Sequence, residues 1–227
     1  MTSWRTPLGL AGAGAGLLAW AAYHPASQLF GPTRRRVEPG ELALTFDDGP
    51  NPAVTPRLLD LLARYNVGAS FFLVGRFVDA HPDLAAEIAQ RGHTIGNHTT
   101  THPSLVWQPP ARIAGEITAC QDSIERATGG RPVWFRPPFG YRGPQLNGVV
   151  RQLGLSGVAM WSKTEYDWRD EPRERLVRRL GHVAGGDIVL LHDGSYREQG
   201  ADRHRTVDAL EHWLPRWIDG GLRLVTL

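Results

Sequence analysis

The sequence predicts an α/β protein, most simply a parallel sheet closed into a (β/α)7-type barrel behind an N-terminal hydrophobic leader. Three observations carry that expectation. Short apolar runs alternate with amphipathic stretches for about seven βα units without an internal break. The polar residues of interest, Asp47, Asp48, His98, His102, Arg136, Asp167 and His192, all fall just after a predicted strand. In α/β barrels that end carries the chemistry. Finally, 227 residues suit one such domain plus a short leader and can bury a sizeable core.

The leader comes first. Leu8 to Tyr23 is uncharged, rich in Ala, Gly and Leu, and preceded by Arg5. It is shorter than the roughly 20 residues of a comfortable transmembrane helix. Three readings stay open: a cleaved signal peptide with Ala19-Trp20-Ala21 at the cleavage site, an uncleaved anchor, or a mobile helix on a soluble protein. Gly12 and Gly16 would let a second helix approach. Arg34-Arg35-Arg36 competes with Arg5 under the positive-inside rule. Export or anchoring is favoured, which places the protein in the cell envelope, secreted or held at the membrane through residues 8–23, with the cytoplasm as the alternative. Residues 1–31 are therefore assigned to the leader and the start of the linker, and 32–227 to the folded domain.

Within that domain, Glu41 to Phe46 is a buried strand stopped by two acids and Gly49-Pro50. Thr55 to Tyr65 is a helix, with Leu58, Leu59, Leu61 and Leu62 as its core stripe and Pro56 in the first turn. Ala69 to Val74 is an apolar strand and Pro82 to Arg91 a short helix. His93 to Asn97 is a third strand running into His98-Thr99-Thr100-Thr101-His102-Pro103. Ala111 to Thr128 is the longest helical pattern, closed by Gly129-Gly130. The strand Pro132 to Phe135 leads at once into Arg136-Pro137-Pro138-Phe139-Gly140. Helix Gln145–Leu153, strand Leu155–Trp161 and helix Arg173–Val183 follow. Strand Asp187–Leu191 ends in His192-Asp193-Gly194, and helix Thr206–Ile218 leads to a last strand, Leu222–Leu227.

Composition excludes several classes. The formal net charge is +2, and nearly every cation is Arg, with no basic block long enough for a nucleic-acid stripe. Cys120 stands alone, so there is no intrachain disulfide and no Cys-based zinc site. Any metal must be held by His and carboxylate.

Asp47 and Asp48 point to such a site. Neighbouring side chains on a regular strand face opposite ways, so two successive acids share a site only where the backbone bends. Side by side they raise one another's pKa unless a cation intervenes. His98 and His102 are four apart, in a stretch whose threonines and Pro103 favour a single turn or tight loop over a helix. Joined by an acid from another strand end, they would supply two nitrogens and one oxygen, leaving room on zinc for water. Cobalt or nickel could fill the same place.

Thr45 to Pro50, the His98/His102 pair, Arg136 to Gly140, Asp167-Trp168 and Leu190-Leu191-His192 occur in the order and approximate spacing of five motifs. The chain from Glu41 to Leu227 thereby resembles the NodB-type polysaccharide deacetylases, carbohydrate esterase family 4. The resemblance implies a distorted, often incomplete (β/α) barrel forming a catalytic domain. It implies Asp48, His98 and His102 as ligands of a divalent metal, zinc first, and Asp47 as the base that takes a proton from its water. Arg136 would orient Asp47, His192 would protonate the leaving amine, and Asp167 would hold the His192 ring. The Phe139 N–H would stabilise the oxyanion, while Trp168 and Leu190 would line the acetyl pocket. Many relatives carry a further Asp where this chain has Thr164, and often Tyr where it has Phe139. The implied substrate is an N-acetylated polysaccharide or oligosaccharide of peptidoglycan or chitin type. A monomer is expected, and composition already argues against a nucleic-acid partner. An O-acetyl esterase or amide/imide hydrolase on the same site, and an inactive carbohydrate-binding protein, are the alternatives. His93 reads as a structural residue near the site, and His24, His81, His182, His204 and His212 as surface or packing residues.

Overall fold

In a computed structural model, which describes residues 7–227, the chain opens with helix α1 (Pro7–Tyr23) and a two-residue strand, β1 (Thr33–Arg34). The alternating region begins β2 (Glu41–Gly49), α2 (Thr55–Arg64), β3 (Ser70–Leu73), α3 (Gly75–Ala80), α4 (Pro82–Gln90), β4 (Thr94–Asn97) and α5 (Pro110–Thr128). It continues β5 (Trp134–Phe135), α6 (Leu146–Gln152), β6 (Gly157–Ala159), β7 (Lys163–Thr164) and α7 (Arg173–Leu180). The chain closes with β8 (Ile188–His192), α8 (His204–Asp219) and β9 (Arg223–Leu224).

The strands pair in parallel in the order β1-β6-β5-β4-β3-β2-β8-β7, with β9 added to β2. Residues 157–164 reach both ends of the row: β6 pairs with β5, and β7, just downstream, pairs with β8. That one extended segment curls the sheet into a distorted barrel, and β1 patches its seam on β6. The expected architecture is therefore present.

Strand β2 shows why its sequence folds this way. Leu42, Leu44 and Phe46 pack in the layer that holds Leu58 and Leu62 of α2 and Leu210 of α8. Ala43 packs with Phe135, Ile188 and Leu190 in the other apolar cluster. The period of two thus sorts leucines and phenylalanine to the helix side, and Ala43, Thr45 and Asp47 to the interior.

Several elements differ from the sequence expectation. β2 extends to Gly49, because Asp47 still pairs with Phe72 and His192 across the ladder. Helix α3 was not expected; it is one and a half turns, too short for its periodicity to register. Strands β1 and β7 span two residues each and owe their conformation to the neighbours they pair with. The last strand is reduced to Arg223–Leu224.

Arg5 and the surroundings of Gly12 lie outside the described residues, and Gly16 faces open space. No helix among the described residues is long and apolar enough to cross a membrane. The end of α1 is docked: Ala21 and Ala22 are buried, and the Arg142 N–H donates to Ala22 O at 2.9 Å. The Arg142 guanidinium donates to His24 O at 3.2 Å and Ser27 O at 2.8 Å. Tyr23 meets Tyr141 edge-on, with ring centroids 4.8 Å apart. Removing residues 1–27 strips Arg142 of these three acceptors, a loss of about 2 kcal/mol. Thermal unfolding followed by circular dichroism is expected to show a midpoint roughly 5 °C below that of the full chain. A chain starting at Ala21 should match the full chain, and equal midpoints for all three would contradict the docking.

Candidate active site

Asp47 and Asp48 sit where β2 meets its bulge. The register with β3 slips between Asp47 and Gly49, and Asp48 adopts φ +72°. An Asp tolerates this left-handed conformation better than most residues, since its short side chain can bond locally. On an unbroken strand Asp48 would point at the helix layer; the bulge turns it back beside Asp47. Two glycines permit the close packing this needs. A Cβ on Gly49 would lie 2.5 Å from Asp193 Oδ2, and one on Gly194 would lie 2.3 Å from Asp48 O.

His98 and His102 follow β4 in a tight loop, with Thr99 and His102 both at positive φ (67° and 60°). Asn97 Oδ1 accepts from Thr99 N at 2.8 Å, and Thr99 Oγ1 accepts from His102 N at 3.0 Å. Glu116 on α5 clamps the outside of the loop, taking bonds from the backbone N–H groups of Thr100 and Thr101 at 3.1 and 2.9 Å. Side-chain acceptors therefore replace the helix that the four-residue spacing alone would suggest.

His98 Nδ1 lies 2.7 Å from Arg136 O, an acceptor only, so Nδ1 carries the hydrogen and Nε2 presents its lone pair. That nitrogen is 3.7 Å from Asp48 Oδ1, and His102 Nε2 is 3.3 Å from the same oxygen. Asp48 Oδ1 is buried without a hydrogen-bond partner among the described residues. One ligand atom from each of Asp48, His98 and His102 lies within 4.8 Å of the others. Bonds of about 2.0–2.2 Å at tetrahedral angles separate ligand atoms by about 3.3–3.6 Å. The three residues fit a divalent metal. Burial pushes the His98 imidazole down to about 3 and His102 to about 2, so both are neutral donors. Burial, aided by the Asp47 charge and opposed by His192, raises the Asp48 carboxyl to about 6.

Arg136, fully buried at the end of β5, donates to Asp47 Oδ1 at 2.7 Å and to Thr45 Oγ1 at 2.8 Å. Asp47 Oδ2 is left facing His98 Nε2 at 3.7 Å. Across the cleft, Asp167 Oδ1 is 2.8 Å from His192 Nδ1, while its Oδ2 accepts from His192 N at 2.7 Å and Thr206 Oγ1 at 2.9 Å. Burial alone would lower the His192 pKa; the Asp167, Asp48 and Asp47 charges outweigh it and hold it at about 9. The same contact keeps Asp167 below its usual range in spite of its burial.

Asp47, Asp48, His98, His102 and His192 line a cleft of about 440 Å³, with Arg136 and Asp167 bonded behind them. Phe139 sits at φ +60° in a single 3₁₀ turn, Pro138–Gly140, with its ring edge-on to His102 at 4.6 Å. Trp168 is 41% exposed at the mouth, edge-on to His192 at 5.0 Å, so it is a rim residue and not core. Leu190 lies in the wall. All ten site residues named from the sequence therefore converge here. His93 does not: it precedes β4, at the end of the barrel away from the cleft, where its Nδ1 accepts from Ala69 N.

Sequence reasoning missed several neighbours. Tyr196 lies flat on His102, with centroids 4.1 Å apart and 13° between planes. Tyr141, Trp161, Arg197 and Arg203 also line the cleft, and Thr206 on α8 supports Asp167. The available signal was position: Tyr196, Arg197 and Arg203 follow β8 in a βα loop at the end that carries chemistry.

The sequence pattern of the polysaccharide deacetylase family matches residues 34–158. The chain belongs to that family. Among relatives, the chain resembles a peptidoglycan-N-acetylglucosamine deacetylase of Bacillus cereus, 36% identical over 82% of this chain and 85% of that protein. It is 35% identical to a chitooligosaccharide deacetylase of Azorhizobium caulinodans, over 81% of this chain and 91% of the other. It is also 35% identical to the peptidoglycan-N-acetylmuramic acid deacetylase PdaC of Bacillus subtilis, spanning 86% of this chain but only 40% of that longer protein. Among solved structures, the Bc1960 peptidoglycan N-acetylglucosamine deacetylase superposes with a TM-score of 0.77 at 31% identity, covering 86% and 90% of the two chains. The Bacillus anthracis protein BA3943, described as a pseudoenzyme of carbohydrate esterase family 4, superposes with a TM-score of 0.76 at 26% identity, covering 85% and 66%.

Because Asp48 alone of the three metal-fitting residues titrates near neutrality, protons should compete with metal there and not at the imidazoles. Zinc affinity is expected to fall about tenfold per pH unit below about pH 6. Competition against a chromogenic chelator between about pH 5 and about pH 7.5 reads this. A flat profile would place the ion on other residues.

Proposed function

We propose that the protein is a metal-dependent hydrolase that removes N-acetyl groups from N-acetylglucosamine units of a polysaccharide of peptidoglycan or chitin type, releasing acetate. One observation carries this reading: two carboxylates of different charge balance, two neutral imidazoles and a carboxylate-held imidazolium meet in one cleft. Names of relatives matched along most of their length support the substrate class.

Asp48, His98 and His102 would hold the metal, zinc first, with cobalt or nickel as alternatives. When bound, such an ion lowers the pKa of a water and polarises the substrate carbonyl. Asp47 is the base. Its Oδ1 is occupied by Arg136, and Oδ2 is free to accept a proton from the attacking water. The buried guanidinium pairs with this carboxylate and fixes its orientation toward the cleft. An amide nitrogen leaves poorly until protonated, so a separate acid is needed. His192 supplies it: Nδ1 is committed to Asp167, and the ring's far nitrogen remains to protonate the amine. The Phe139 N–H is assigned to the developing oxyanion, where fixed donors contribute most. Leu190 and Trp168 are assigned to the acetyl methyl. A wall or extracellular glycan as substrate places the protein in the cell envelope.

The inactive-protein alternative predicts no turnover, and an O-acetyl esterase predicts preference for acetylated xylan. Acetate release from N-acetylglucosamine oligomers, lost on chelation and regained with zinc, supports the proposal over both. Asp47→Asn should retain stoichiometric zinc while kcat falls by about 10²–10⁴. Wild-type rates in that variant would refute the base assignment. The imidazolium at His192 is lost as pH rises through about 9, so kcat/KM should decline above that pH. Its contribution to stability, present below the unfolded pKa of roughly 6.5, should vanish over the same rise. Asp167→Asn should move the alkaline limb down by more than about one pH unit, and an unmoved limb would remove Asp167 from the acid.

A further inference from the structure

Two arginines on the loop after β8 line the cleft beside Asp48 and His192 without serving any step described above. Arg203 is steered by its Nε, which donates to Gly194 O at 2.9 Å, and by a terminal nitrogen on Asp202 O at 3.2 Å. Arg197 donates from Nε to the Tyr196 hydroxyl at 2.9 Å, against the ring that covers His102. Neither forms an ion pair among the described residues, whereas Arg57, Arg64 and Arg126 elsewhere on the surface pair with Asp208, Glu211 and Asp79. The carboxylates in and behind the cleft are spoken for: Asp47 by Arg136, Asp167 by His192, and Asp48 by the metal-fitting set. The rim is left with two forked cations directed by their inner nitrogens and lacking an anion.

We propose that the cleft takes a glycan bearing a carboxylate on the acetylated sugar or its immediate neighbour, and that Arg197 and Arg203 bind that carboxylate. This rests on the deacetylase reading and narrows its substrate. A guanidinium matches a carboxylate through parallel N–H bonds, whereas sugar hydroxyls and acetamides need no net charge. A lactyl ether on the carbon beside the acetamide places its carboxylate only a few bonds from the scissile amide. A chitin-type chain has no such group.

The test uses the zinc-loaded full chain and three substrates of equal length: a neutral N-acetylglucosamine tetramer, a peptide-free glycan tetramer with lactyl carboxylates, and its methyl ester. Acetate release is measured for each. The wild type should cleave the acid about tenfold better than the ester in kcat/KM, chiefly through KM. The advantage should shrink as salt rises toward about 0.5 M, since the rim is screened. In the Arg197→Gln/Arg203→Gln double variant the acid-to-ester ratio should approach about 1, and Arg197→Lys/Arg203→Lys should keep part of it. Equal cleavage of acid and ester by the wild type, or an unchanged ratio in the Gln variant, would overturn the proposal. The ratio is insensitive to general damage to the loop. Acetate from the neutral tetramer reports the deacetylase reading separately, and no acetate from any substrate would remove that reading and this inference together.

Discussion

A single buried guanidinium ties the site to the barrel. Arg136 has no exposed surface, yet it donates to Thr45 and Asp47 on β2 and to the carbonyls of Ala159 and Met160 at the end of β6. Its guanidinium also lies 4.0 Å from the Phe72 ring centroid, and its own carbonyl sets the His98 tautomer. A buried charge of this kind is tolerated only while its partners remain; taking one away costs about 3–5 kcal/mol. Asp47, His98 and the strand ends are thus positioned by one residue with no freedom to move.

The rest of the electrostatics follows from which groups have partners. Asp47 and Asp48 are neighbours in sequence and equally buried, but only Asp47 meets a guanidinium. The uncompensated Asp48 carboxylate and the two desolvated imidazoles form a set that a divalent cation would complete. His192 sits under the same burial and takes the opposite charge state because Asp167 contacts its Nδ1. One cleft thereby contains neutral and protonated imidazoles at a single pH, the separation that acid–base chemistry with distinct acid and base requires.

Much of this was legible in the sequence. The period of two in Leu42 to Asp47, the abrupt acids, the broken helix signal at His98 to His102 and the polar residues after each strand all state local rules that tertiary contacts do not override. Asp167 stands in a motif that has Thr164 where many relatives carry an acid, and its place beside His192 comes from β7 and β8 pairing side by side.

What the chain determined by itself was the alternation of elements and the residue types at each strand end, because both depend on neighbours within a few positions. Tertiary structure alone decided the closure of the barrel through residues 157–164 and the docking of α1 on Arg142. It alone decided the stacking of Tyr196 on His102 and the placing of Arg197 and Arg203 at the rim. Each of these joins segments far apart in sequence, and no periodicity or spacing encodes which distant loop will pack against which. The physical reason is that burial, and the pairing that burial demands, is a property of the assembled fold and not of any one stretch.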